Sequence, residues 1–179
     1  MLARGESRLG LERPDLDGRP VTDSGETPPR VLLVEDNEDD RRLVRELLET
    51  EGIQVVGEAP DGAAGVSLAL ELEPDVILID LRLPGISGLE ATRQIKAVLP
   101  LTQVITLTAS EQLLAWDAAK AGVYAYLDKQ RAPAMLTEVV LQAGRLKVRL
   151  EGHADRPEAA GDEEDSPGAR PEDAPPPAT

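Results

Sequence analysis

The chain has 179 residues, a formal net charge of −15 and no cysteine, which excludes disulfides and thiolate metal sites. His153 is its only histidine, so a multi-histidine metal centre is excluded, and a Ser-His pair would rest on one residue in a polar tail. The acidic balance disfavours nucleic-acid binding, which needs a basic face; no apolar run reaches the roughly 18 residues that cross a membrane, and a cytoplasmic setting is expected.

Residues 1–29 scatter Gly and Pro without a sustained hydrophobic period, and are expected to form a disordered extension. Val31–Val34 is a continuous apolar run that reads as a buried strand and ends in Glu35-Asp36. After Asn37, the acids Glu38, Asp39 and Asp40 suit the positive end of a helix dipole. Leu43, Val44, Leu47 and Leu48 follow at helical spacing, with Gly52 as the stop. Ile53–Val56 predicts a second strand, and Asp61–Leu72 an Ala-rich helix closed by Pro74.

Asp75–Asp80 is the central strand, wholly apolar over Val76–Ile79, as in a parallel sheet covered on both faces. A helix over Gly88–Leu99 ends at Pro100, and Gln103–Thr108 is the fourth strand. Ser110 is placed as the N-cap of a helix over Glu111–Ala121, with Gly122 after it. Val123–Leu127 is the last strand, and Pro133 fits the first turn of a final helix carrying Leu136, Val140 and Ala143. Five βα units with right-handed crossovers give an α/β fold, a doubly wound five-stranded parallel sheet. It occupies residues 30–152. Residues 153–179 hold eight acids, two Arg and six Pro with no Val, Ile, Leu or aromatic residue, and are expected to be a disordered acidic tail.

The strand ends carry the chemistry. In open α/β sheets, ligands bind at the carboxyl ends of the strands. Those ends are Glu35-Asp36, Asp80, Thr108-Ala109-Ser110 and Asp128-Lys129. Three carboxylates there make a hard oxygen site suited to magnesium, with manganese as the alternative. A hydroxyl and an ammonium beside them are donors for phosphoryl oxygens. A lone strand-end Asp more often only caps a turn; four strand ends with matching chemistry point to phosphoryl transfer.

On Val-Glu-Asp (34–36), Ile-Asp-Leu-Arg-Leu-Pro-Gly-Ile-Ser-Gly (79–88), Leu-Thr-Ala (107–109) and Ala-Tyr-Leu-Asp-Lys (125–129), the chain resembles the receiver domains of two-component response regulators. The resemblance implies a (βα)5 flavodoxin-like receiver fold, with Asp80 accepting phosphate from a sensor histidine kinase or a phosphotransfer protein. It implies magnesium held by Glu35, Asp36, Asp80 and the main-chain carbonyl of Arg82. Thr108, Ala109 and Lys129 would receive the phosphoryl group, and Thr108 with Tyr126 would be the switch. Arg82 and Ser110 would tune the lifetime of the acyl phosphate. One departure is that Gln130, not proline, follows Lys129, so no cis peptide is expected at that loop.

The expected function is a phosphoacceptor module that catalyses only its own phosphorylation and dephosphorylation. No DNA-binding output domain is expected, and the module would signal to a partner protein through the fourth helix, the fifth strand and the fifth helix. Homodimerisation is left open. A phosphorelay intermediate is the alternative within signalling. An aspartyl-phosphate hydrolase of the haloacid dehalogenase type lacks support, because Leu81 and Arg82 follow Asp80 where that family has Asp-x-Asp. A phosphate-independent interaction domain is disfavoured by the complete acid set with Lys129.

Overall fold

The computed structural model describes residues 13–14, 20–21, 27–108, 120–129 and 132–154. Its body is a five-stranded sheet of β1 (Arg30–Val34), β2 (Gln54–Ala59), β3 (Val76–Asp80), β4 (Gln103–Thr108) and β5 (Ala125–Asp128). The spatial order is β2-β1-β3-β4-β5, every pair parallel. Ahead of it, Arg13–Pro14 pairs antiparallel with Pro20–Val21. The doubly wound sheet is the fold expected from the sequence.

Strand alternation sorts the side chains into two layers. Leu33, Leu78 and Leu107 pack on one face under Leu48 of α1 (Glu38–Thr50) and under Leu136, Val140 and Ala143 of the C-terminal helix (Ala132–Ala154). Leu32, Ile77, Ile79 and Val104 pack on the other, under Ala69 of α2 (Gly62–Leu72) and under Ala91 and Ile95 of α3 (Gly88–Val98). All five residues of β3 are buried, because neighbours on both edges and helices on both faces leave the strand no solvent side.

The helix starts follow capping chemistry. Asn37, Asp61 and Ser87 each accept main-chain N–H bonds at the first turn of α1, α2 and α3. Gly52 follows α1 at φ 75°, the left-handed conformation that ends helices and suits glycine. The helix expected over Glu111–Ala121 is described only at its end, where Lys120 and Ala121 are helical.

Two strands are displaced from the sequence reading. The second runs on to Ala59 rather than stopping at Val56. Gly57 and Pro60 resemble a turn, yet Gly57 is in the ladder opposite Leu32. A Cβ there would meet the Leu72 side chain at 2.6 Å, and the ladder skips Val56 just before it, so this glycine sits at an irregularity of the strand and serves close packing there. The last strand starts at Ala125, although Tyr124 N–H already donates to the Val104 carbonyl at 2.7 Å. Packed residues also begin before Arg30. Pro28 and Pro29 are buried, and a Cβ on Gly144 of the C-terminal helix would meet the Pro29 ring at 2.6 Å.

At the edge of the sheet opposite the carboxyl ends, one buried ion pair ties the C-terminal helix to β3. Lys147 Nζ donates to the Pro74 carbonyl at 3.1 Å and to Asp75 Oδ1 at 3.1 Å. Asp75 Oδ2 accepts from the Arg30 N–H at 2.8 Å, so the same carboxylate also fixes the start of β1. Both side chains are about nine-tenths buried, and removing one partner strips the other of its buried counter-charge. Lys147→Met should therefore cost about 2–4 kcal/mol. Adding Asp75→Asn should recover part of the loss. Urea unfolding of the two single variants and the double variant measures both.

Candidate functional site

Glu35, Asp36, Asp80 and Lys129 are brought to the carboxyl edge of the sheet by the strand ends that carry them. β1 and β3 are paired in register, so Glu35, directly after β1, lies beside Asp80, the last residue of β3. Glu35 is held at both ends. Its N–H donates to the Ala59 carbonyl at 3.0 Å, and its carboxylate accepts from the Asn37 N–H at 3.3 Å. Arg41 Nη1 donates to its main-chain oxygen at 2.6 Å. Arg41 is itself oriented by Glu58 on β2, at 3.2 Å.

Asp80 is 7% exposed, and its Oδ1 accepts from the Arg82 N–H at 3.0 Å. The loop after it folds back so that Gly88 N–H reaches the Leu81 carbonyl at 3.0 Å. A Cβ on Gly88 would collide with the Asp80 main-chain oxygen, so the first residue of α3 has to be glycine for the loop to close over Asp80.

Lys129 follows β5 and reaches back across the edge. Its Nζ lies 2.6 Å from Glu35 Oε2, 2.7 Å from Asp80 Oδ2 and 3.2 Å from Asp40 Oδ2. Burial pushes the Glu35 carboxyl above the ordinary range, and Asp80 nearby adds to this, while Lys129 and the Asn37 N–H pull it back down. Burial lowers the Lys129 ammonium, but its bonds to Asp80 and Glu35 outweigh that and hold it above the usual lysine range.

One carboxylate oxygen each from Glu35, Asp36 and Asp80 lies within 4.8 Å of the others. Glu35 and Asp80 are buried and Asp36 is exposed, so the cluster is anchored on the protein side and open to water on the other. An all-oxygen set with a wet side fits magnesium, which keeps several of its waters, and manganese takes the same ligands. A groove of about 130 Å³ opens beside Lys129, lined by Leu43, Val44 and Leu47 of α1 with Leu107 and Leu136.

The other predicted residues divide. Thr108 is the last residue of β4, opposite Asp128 of β5. Tyr126 pairs with Thr106 in the same ladder and is 40% exposed. Ala109, Ser110 and Gln130 lie outside the described residues. No peptide bond is cis among the described residues. Two site residues were missed in the sequence. Asp40 looks there like one more acid favouring a helix start. Arg41 carries no local sign that it reaches the Glu35 carbonyl and Glu58.

A family model for the response regulator receiver domain matches residues 31–141. The transcriptional regulatory protein LiaR of Bacillus subtilis is 40% identical over 124 residues, covering 68% of this chain and 59% of LiaR. A protein-glutamate methylesterase/protein-glutamine glutaminase of Myxococcus xanthus is 38% identical over 109 residues, 59% of this chain and 31% of that protein. The chain thus spans no more than about three fifths of either relative. Among solved structures, the signal receiver domain of the response regulator NarL from Mycobacterium tuberculosis superposes with a TM-score of 0.62 at 31% identity, covering 66% of this chain and 97% of that one. The response regulator domain of Thermotoga maritima CheB gives 0.61 at 28% identity, with coverages of 66% and 97%.

The raised Glu35 carboxyl makes a signed prediction. A carboxyl with a higher pKa in the folded than in the unfolded chain stabilises the fold while protonated. That contribution is lost as pH rises from the ordinary Glu value, about 4.3, through the folded value. Lys129→Met removes the partner that pulls Glu35 down, so the folded value rises further and the loss extends to higher pH. The stability deficit of Lys129→Met against the wild type should be smallest near pH 4 and should grow to about 1–3 kcal/mol at pH 7. Urea unfolding in EDTA at four pH values between these limits checks the trend. A deficit that shrank with rising pH would contradict it.

Proposed function

This chain belongs to the response regulator receiver domain family, whose members take part in phosphorylation-based signalling, and on that premise we propose that Asp80 is the phosphoacceptor. The observation that supports this best is the contact of Lys129 Nζ with Asp80 Oδ2 at 2.7 Å, beside the Glu35–Asp36–Asp80 oxygen cluster.

Receiver domains take their phosphoryl group from a histidine kinase or a phosphotransfer protein. In the proposed reaction, an oxygen of Asp80 attacks the phosphorus of a phosphohistidine. The new P–O bond forms as the P–N bond breaks, and the imidazole leaves with the bonding pair and is protonated from water. Water later attacks the phosphorus, releasing inorganic phosphate and restoring the Asp80 carboxylate. Magnesium, when bound, supplies positive charge to the transferring phosphoryl oxygens. Glu35, Asp36, Asp80 and the Arg82 main-chain carbonyl would hold it.

The remaining roles fall to the chain's own groups. The Arg82 N–H on Asp80 Oδ1 orients the carboxylate and leaves Oδ2, on the Lys129 side, as the nucleophile. Lys129 then passes from Oδ2 to a phosphoryl oxygen, a charge-assisted bond that strengthens as negative charge gathers there. Thr108 completes the phosphoryl site, and the small side chain of Ala109 leaves room for the phosphate. Arg82 and Ser110, each two residues beyond Asp80 or Thr108, set how readily water reaches the phosphorus. Thr108 and Tyr126 form the switch that alters the surface of the fourth helix, the fifth strand and the fifth helix toward a partner protein.

Acetyl phosphate with magnesium should add one phosphoryl group to the wild type and none to Asp80→Asn, read by intact-mass spectrometry. Unchanged labelling of Asp80→Asn would sink the assignment. Magnesium at one hundred times its dissociation constant should stabilise the wild type by about 2.7 kcal/mol in urea unfolding, and Asp36→Asn by less than about 1 kcal/mol.

A further inference from the structure

Lys129 makes three contacts, and the phosphoacceptor reading accounts for two of them. An ammonium has three N–H donors. Here they meet three carboxylates, Glu35 at 2.6 Å, Asp80 at 2.7 Å and Asp40 at 3.2 Å. Glu35 and Asp80 also belong to the oxygen cluster that fits a divalent cation, and Asp40 does not. A cation drawing on Glu35 and Asp80 would compete with Lys129 for both. Asp40 is the carboxylate that Lys129 keeps.

The placement of Asp40 is fixed by its own backbone. It lies in the first turn of α1, where its N–H donates to the side chain of the N-cap Asn37 at 3.1 Å. The guanidinium groups next in sequence are engaged elsewhere. Arg41 is held by Glu58 and the Glu35 carbonyl, and Arg42 by Asp39 at 2.6 Å. Asp40 is thus a fixed acceptor on α1 facing the end of a flexible lysine from the far side of the sheet.

We propose that Asp40 is a positioning residue, holding the Lys129 ammonium over Asp80 while the other two carboxylates turn to the cation. The inference rests on the phosphoacceptor reading for its effect on rate, but the Lys129–Asp40 contact can be tested without it. Asp39 is the control. It carries the same charge one residue earlier and donates its N–H to the same Asn37 cap, but its side chain pairs with Arg42 and is 82% exposed.

The experiment compares Asp40→Asn, Asp40→Glu and Asp39→Asn with the wild-type full chain. At saturating magnesium, Asp40→Asn should slow labelling by acetyl phosphate about two- to fivefold, the range of a partly exposed ion pair. Asp40→Glu should restore the rate to within about twofold, and Asp39→Asn should leave it unchanged. Magnesium affinity, measured by calorimetry, should shift no more in Asp40→Asn than in Asp39→Asn. The ¹H–¹⁵N signal of the Lys129 ammonium, assigned by its loss in Lys129→Arg, should broaden in Asp40→Asn and persist in Asp39→Asn.

Equal slowing in Asp39→Asn and Asp40→Asn would reduce the effect to general field and overturn the proposal. So would a loss of magnesium affinity in Asp40→Asn as large as that in Asp36→Asn, which would make Asp40 a ligand. If the wild type took no phosphate on Asp80, the functional reading would fall. The ammonium signal would still decide the contact, and its persistence in Asp40→Asn would overturn it.

Discussion

Like charges must be held together at one edge of the sheet, and a single ammonium makes that tolerable. Glu35 is 1% exposed and Asp80 is 7% exposed, and two unit charges about 4 Å apart repel by roughly 4 kcal/mol at an effective dielectric near 20. Lys129 touches both. The parallel sheet supplies the rigidity this needs, since β3 is hydrogen-bonded on both edges and buried on both faces. The main chain of Asp80 cannot move away from that of Glu35 without moving the strand. The acidic cluster is therefore a consequence of register, and its tolerance a consequence of one side chain arriving from β5.

Exposure separates the three cluster carboxylates physically. Asp36 faces water, where solvent screens its charge and repulsion from its neighbours is modest. Glu35 is shielded, and burial is the largest influence on its carboxyl. The electrostatic tension of the site is concentrated on the Glu35–Asp80–Lys129 triangle rather than spread evenly over the acids. Arg41 contributes indirectly. By donating to the Glu35 carbonyl and bridging to Glu58, it fixes the backbone turn from β1 into α1 without neutralising the carboxylate.

Much of this was legible in the sequence, for a physical reason. Val31–Val34 and Val76–Ile79 are unbroken apolar runs because their strands are buried on both faces, and that pattern announces a parallel sheet. Once the strands are placed, their carboxyl ends fall at Glu35-Asp36, Asp80, Thr108 and Lys129 without further information. What was not legible depends on contacts between residues far apart in the chain. Gly57, three residues before Pro60, looks like part of a turn, and only its pairing with Leu32 and the packing of Leu72 against it reveal a strand. Asp40 is indistinguishable in sequence from its acidic neighbours, and Lys147 from any lysine on a helix. Each acquires its meaning from a partner that the chain does not place nearby.

The pin at Lys147 also says where this chain can be cut or joined. From Val148 to Gly152 the C-terminal helix is exposed at every position, so these turns add nothing to the buried layers. A fusion or cleavage point placed beyond them keeps the ammonium on the Pro74 carbonyl and Asp75. One placed before Lys147 strips the sheet's lower edge of that cation. For a chain shortened from this end, the position of one buried charge therefore matters more than the length of the helix.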